Sequence, residues 1–224
     1  MSKKNLISSR KPYISWLGSI YFQSRKIDLI ESIRSIELQE CNYQQEIVLV
    51  KDGLITKDIE IFLKNYTFKI SFKLINIVKN TGLGNALKIG SQNCEGKYIV
   101  RFDTDDISLP NRLSTQIPLL ENNSELAFIS SAVYEKDSSD KIYYKLPYKN
   151  SSENLIYKLN PVNHPTVVLN KEILFSVGNY QSVYYFEDYY LWLKFIKNGY
   201  KYKLINDPLV VMKVDESYTK RWGL

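Results

Sequence analysis

With 224 residues, 44% of them apolar and 24% charged, the chain is long and apolar enough for one large globular domain. This balance excludes disordered, collagen-like and coiled-coil chains. The 30 basic residues exceed the 24 acidic ones, a net charge of +6, yet no run of five basic residues occurs, so the excess reads as a solvated surface rather than a nucleic-acid interface. No apolar run reaches the roughly 18 to 20 residues of a membrane span, and MSKKNLISSRK has no signal-peptide core; a cytoplasmic protein is expected. Two cysteines, Cys41 and Cys94, and one histidine, His164, make neither a disulfide framework nor a His/Cys metal site. A metal here would need oxygen ligands.

In chain order, PYISWLGSIY (12–21) reads as a buried strand, followed by a helix on which Ile27, Ile30, Ile33 and Ile36 recur. EIVLV (46–50) is a second buried strand ending in the turn Lys51-Asp52-Gly53, and DIEIFLKNY a short helix. SFKLINIV, GLGNALKIGSQNC and YIVRF (98–102) continue as strand, helix, strand. This alternation predicts an α/β domain with a mostly parallel central sheet and ligands beyond the strands' carboxyl ends. After about residue 125 the rhythm becomes mixed: AFISSAVYE and KIYYKL as strands around KDSSD, SSENLIYKLN as a helix, and PVNHPTVVLN as a strand. LWLKFIKNGY is a helix stopped by Gly199, and KYKLI and LVVMKV are two closing strands. The single domain thus divides into a nucleotide-type half, about 12–125, and a second half, about 126–224.

The segment YIVRFDTDDISLPNRL runs a strand straight into Asp103-Thr104-Asp105-Asp106. In extended backbone Asp103 and Asp105 share a face, and two carboxylates about 4 Å apart repel by roughly 4 kcal/mol at an effective dielectric of 20. Oxygen-only ligation of this kind suits Mg²⁺ or Mn²⁺. The plainer reading is helix capping, for which Ser108 as N-cap and Pro110 in the first turn of NRLSTQIPLL suffice. Asp52 lies past the second strand, and Asn80, Gly82 and Gly84 sit between the third strand and a helix, where backbone can approach a nucleotide. Glu187 and Asp188 form an acidic pair within an aromatic run, either dipole compensation at a helix start or a catalytic pair. His164, between Asn163 and Pro165, is either structural or a substrate contact.

Taken in order, Tyr21 at the end of the first strand, EIVLVKDG, KNTGLGNALKIG, YIVRFDTDDISLPNRL, HPTVVLNK, VGNY and FEDYYLWLK resemble the landmarks of inverting family 2 glycosyltransferases of the GT-A fold. DTDDISLPNRL, NHPTVV and EDYYLW are similar to the bacterial branch that builds O-antigens, capsules and other exopolysaccharides. The resemblance implies that Tyr21 and Asp52 hold the nucleotide base, with Asn80, Gly82, Gly84 and Arg101 nearby. It further implies that Asp103 faces ribose and metal, that Asp105 ligates Mn²⁺ or Mg²⁺, and that Asp188 is the general base beside Glu187. His164, Trp192 and Arg221 become acceptor or sugar contacts. The implied partners are a UDP-sugar donor and a glycan or polyprenyl-diphosphate-linked sugar acceptor, with peripheral association at the inner face of the cytoplasmic membrane and no nucleic acid.

Two departures from the family pattern stand out. Ser19 and Phe22 occupy the places of the proline and asparagine in Pro-x-Tyr-Asn, and Lys51 stands where a second acid precedes Asp52. The basic Thr219-Lys220-Arg221-Trp222-Gly223 is followed by more helix in relatives, whereas this chain stops at Leu224, which leads to the expectation of a shortened acceptor half. A nucleotidyltransferase would want a glycine-rich triphosphate loop, and SIYFQSRK has no glycine after Gly18. A non-catalytic sugar- or nucleotide-binding module would have no use for Asp188.

Overall fold

The computed structural model describes residues 13–145 and 155–214. Four strands, β1 (Ile14–Ile20), β2 (Gln45–Asp52), β3 (Ser71–Ile77) and β4 (Tyr98–Arg101), pair in the order β3-β2-β1-β4, all parallel. Helices α1 (Lys26–Glu37), α2 (Lys57–Asn65) and α3 (Leu83–Gln92) connect them. Because side chains alternate along a strand, β1 sends Ile14, Trp16 and Ile20 into one core and Leu17 into another, and β2 divides Ile47 and Leu49 from Val48 and Val50. Leu29, Ile33 and Ile36 of α1 and Ile59 and Leu63 of α2 cover the first core, while Ala86 and Leu87 of α3 cover the second. Burial on both faces is why these strands read as unbroken apolar runs.

The sheet continues with β5 (Ile107–Ser108), β6 (Leu126–Lys136), β7 (Ile142–Lys145), β8 (Val168–Asn170) and β9 (Lys201–Lys213) in the order β4-β8-β6-β9-β5, β7 pairing with β6. β8 is antiparallel to β4 and β6, and β9 runs parallel to β6 over most of its length. Helices α4 (Arg112–Glu121), α5 (Lys171–Ser176) and α6 (Glu187–Lys197) complete the layers.

Several expectations are corrected. The α1 stripe is Leu29, Ile33 and Ile36, with Ile27 55% exposed; nine residues at 3.6 per turn place Ile27 roughly 180° from Ile36. KYKLI and LVVMKV are one strand, because Pro208 is absorbed at register shifts where Ala132 pairs with it. Within PVNHPTVVLN only Val168–Asn170 is strand, preceded by a 3-10 turn at His164–Thr166, since Pro161 and Pro165 supply no ladder donors. The described part of SSENLIYKLN is a 3-10 turn at Leu155–Tyr157. Ser108 is not an N-cap: it pairs with Val210 in β5, and Asn111 takes the N-cap position of α4.

Candidate active site

The chain leaves β1, β2, β3 and β4 on the same edge of the sheet, and these exits frame a cleft of about 850 Å³ lined by Tyr21, Asp52, Asn80, Gly82, Asp103 and Asp105, among others. That volume lies within the ordinary range for ligand sites. Asp52, the last residue of β2, is buried and organises the loop after β3. Its Oδ1 accepts from the Thr81 amide (2.8 Å) and hydroxyl (3.0 Å), and its Oδ2 from the Gly82 amide (3.0 Å), while Asn80 Nδ2 donates to its carbonyl at 3.2 Å. The turn Lys51-Asp52-Gly53 needs its glycine: Gly53 has φ +84° and a Cβ there would stand 2.7 Å from the Asn80 nitrogen. Tyr21 is partly exposed at the cleft, its ring edge-on to Phe22.

After β4 the backbone is a turn, not an extension, closed by the Asp106 amide donating to the Asp103 carbonyl at 3.2 Å. All four residues of this turn line the cleft, Asp103 and Asp105 more open to it than Thr104 and Asp106, which are buried. Asp105 is open to the cleft yet lies against its floor, and its pKa is pushed up to about 6 by burial first and by the charge of Asp103 second. Asp106 is raised as well, by burial and then by Asp105 and Asp103. The buried Arg101 guanidinium is ion-paired with Asp103. Carboxylates that resist joint ionisation are the donor set a hard cation relieves, and Mg²⁺ or Mn²⁺ commonly takes one or two protein carboxylates and completes its shell with water and phosphate oxygens. Asp103 and Asp105 fit that role; among the described residues no three acids form a protein-only cage.

Two basic supports were not legible in the sequence. Arg112, wholly buried, donates to the Arg101 carbonyl (2.8 Å), Ser108 Oγ (3.0 Å) and Gln116 Oε1 (3.2 Å) and lies over Trp16. Burial lowers its pKa to about 9, opposed by the charge of Asp106. Beside the acidic turn, Asp28 accepts from Arg25 Nε (2.7 Å) and Nη2 (2.8 Å) and from Lys213 Nζ (2.8 Å), and the Lys213 amide donates to Asp106 Oδ1 at 3.0 Å. Burial works to raise the Asp28 pKa, but these cations outweigh it and hold the carboxyl low.

Glu187 and Asp188 open α6. They do not line the cleft with Asp105; Glu187 packs against Gly84, where a Cβ would meet the Gln181 carbonyl at 2.5 Å and Glu187 Cβ at 2.9 Å. The missing side chain therefore lets the loop before α6 close onto the start of α3. Asp188 Oδ2 accepts from Asn160 Nδ2 at 3.0 Å and Oδ1 from the Tyr189 amide at 2.7 Å. Burial raises the pKa of Asp188, and of Glu187, where the neighbouring Asp188 charge adds to it.

Trp192, expected as an acceptor or sugar contact, packs in the core. It is fully buried between Phe128, Phe195 and His164, because α6 turns Leu191, Trp192 and Phe195 inward together. His164 is half-buried, its Nε2 3.2 Å from the Tyr180 hydroxyl, and burial followed by the Arg101 charge keeps it neutral. Arg221 lies outside the described residues.

A mostly parallel α/β sheet with a ligand-sized cleft and acids at the end of β4 is the architecture of the GT-A glycosyltransferases. The family model for glycosyl transferase family 2 matches residues 22–177, and the chain belongs to that family. It is 35% identical over 202 residues, 89% of this chain and 75% of the relative, to the amylovoran biosynthesis glycosyltransferase AmsE of Erwinia amylovora. It is 31% identical over 220 residues, 97% of this chain and 80% of the relative, to the UDP-Gal:alpha-D-GlcNAc-diphosphoundecaprenol beta-1,3-galactosyltransferase of Escherichia coli. Among solved structures, S. aureus TarS 1-349 in complex with UDP-GlcNAc superposes with a TM-score of 0.73 at 17% identity, covering 91% of this chain and 59% of that one. That likeness establishes the fold.

Proposed function

We propose that the chain is a metal-dependent inverting hexosyltransferase of bacterial surface-polysaccharide synthesis, moving a hexose from a UDP-sugar to a glycan or polyprenyl-diphosphate-linked sugar at the inner face of the cytoplasmic membrane. One observation carries this reading: the buried Arg101 guanidinium, ion-paired with the cleft acid Asp103, acts on the pKa of Asp105 and also on that of Asp188, which burial raises, so the cleft acids and this carboxylate lie within reach of one charge. The names of the Escherichia coli and Erwinia relatives supply the donor, lipid-linked acceptor and polysaccharide context.

In this reading Tyr21, Asp52 and the amide-rich loop Asn80–Gly82 hold the nucleotide. Bound at Asp103 and Asp105, Mg²⁺ or Mn²⁺ supplies positive charge against the diphosphate. Asp188 accepts the acceptor hydroxyl's proton as that oxygen bonds to the anomeric carbon and the bond to UDP breaks on the opposite face. A raised pKa suits a base that must take a proton, and the Asn160 amide orients the oxygen that takes it.

Calorimetric titration of UDP, UDP-hexoses and CTP, with and without Mn²⁺, tests the reading. UDP and one UDP-hexose should bind with metal enhancement and CTP should not. Preferential CTP binding, or UDP binding indifferent to metal in both parent and Asp105→Asn, would overturn it.

A further inference from the structure

The loops after β1, β2 and β3 each put a large apolar side chain into solvent: Phe22 is 61% exposed, Leu54 80% and Val78 88%. Single exposed apolar residues are ordinary, but these three converge on one shallow apolar recess of about 350 Å³, shared with Lys79. Its remaining wall is Asp52 and Asn80, which also line the donor cleft, so recess and cleft open beside each other. Each apolar tip is followed by an exposed lysine: Lys26 opens α1, Lys57 opens α2, and Lys79 adjoins Val78. The acids of this rim are already engaged. Glu60 pairs with Lys51 at 2.6 Å, and Asp58 accepts from the Thr56 hydroxyl at 2.5 Å and feels Lys26.

We propose that this edge of the sheet seats on an anionic lipid surface, with Leu54, Val78 and Phe22 at the headgroup boundary and Lys26, Lys57 and Lys79 on the headgroups. Apolar tips interleaved with long cationic side chains are the chemistry of an interfacial membrane contact, because the lysine stems can lie along apolar surface while their charged ends reach anionic lipids. A purely apolar protein partner would have no use for the lysines. The inference rests on the proposed lipid-linked acceptor for its purpose, since a chain seated this way holds its cleft mouth against the membrane.

The experiment is flotation of the protein with vesicles of phosphatidylglycerol and phosphatidylethanolamine, or of phosphatidylcholine alone, without acceptor, alongside a UDP titration of the same samples. The parent should float with the anionic vesicles and be released by high salt. Leu54→Ser with Val78→Ser should lower partitioning about tenfold or more, and Lys57→Gln with Lys79→Gln roughly fivefold per lysine. Both variants should keep the parental melting temperature and UDP affinity. The inference is overturned if the parent ignores anionic vesicles, if it binds phosphatidylcholine equally, if the variants float like the parent, or if saturating UDP strips it from vesicles, which would make the recess part of the nucleotide site. Normal UDP binding with failed flotation would sink the membrane seat and leave the donor reading standing.

Discussion

The guanidinium of Arg101, the last residue of β4, is buried beneath the acidic turn and ion-paired with Asp103 two residues later. Its charge is felt well beyond that pair: it works to lower the pKa of Asp105, Asp106, Glu187 and Asp188 and that of His164. One buried cation thus connects the proposed metal acids to the proposed base. Replacing it as Arg101→Met should destabilise the fold by on the order of 3 kcal/mol, the low end for removing one partner of a buried pair, since Asp103 is partly exposed. Chemical denaturation measures this, and a parental midpoint would mean the charge has no structural weight.

Protons and a cation should compete for Asp105. Its pKa of about 6 means that Mn²⁺ enhancement of UDP binding should be full near pH 7.5 and fade as pH falls through 6. Without metal the linkage has the opposite sense. An acid whose folded pKa is raised favours the folded state fully below its unfolded pKa of about 3.9, and that contribution is lost as pH rises toward 6. Asp105→Asn should therefore gain stability relative to the parent as pH rises from 4 to 7, read as the difference between their melting curves, and should lose most of the Mn²⁺ enhancement. A difference that stays flat with pH would contradict the raised pKa.

The half of the fold built from β1 to β4 was legible because strands buried on both faces and the helices between them leave simple periodic signals. Where prolines fall, pattern reading failed: Pro161 and Pro165 turned an apolar run into a 3-10 turn, and Pro208 was hidden in a bulge rather than ending a strand. The cleft acids Asp52, Asp103 and Asp105 were legible because each sits where a strand ends. Arg112, Asn160 and the Arg25–Asp28–Lys213 cluster were not, since their partners are far apart in sequence or their role is to hold another side chain. A lone arginine among the buried positions of α4, with Gln116 one turn on, was the available signal for Arg112.

Trp192 separates packing from substrate contact. Fully buried, with an indole N–H that meets no hydrogen-bond partner among the described residues, it should tolerate Trp192→Phe at under about 1.5 kcal/mol, while Trp192→Ala should cost about 3 to 5 kcal/mol. Acceptor KM should be unchanged in the phenylalanine variant. A raised KM at an unaltered melting temperature would restore the residue to the acceptor wall.

The proposed base gives the sharpest test, because its two partners make separable predictions. Asp188→Asn keeps size and much of the hydrogen bonding but removes the proton acceptor, so donor affinity should survive while transfer falls by on the order of 10² to 10⁴. Glu187→Gln should be milder, as the neighbour tunes the site without taking the proton. Asn160→Ala is the subtler variant. Its amide donates to Asp188 Oδ2 at 3.0 Å and favours the ionised form, so its loss should raise the Asp188 pKa further. The acid limb of the kcat/KM profile should then move to higher pH, with activity largely recovered on the alkaline side, whereas a merely structural defect would depress the whole profile evenly. Parental transfer by Asp188→Asn, or a dead Glu187→Gln beside an unmoved limb in Asn160→Ala, would place the base on Glu187 instead.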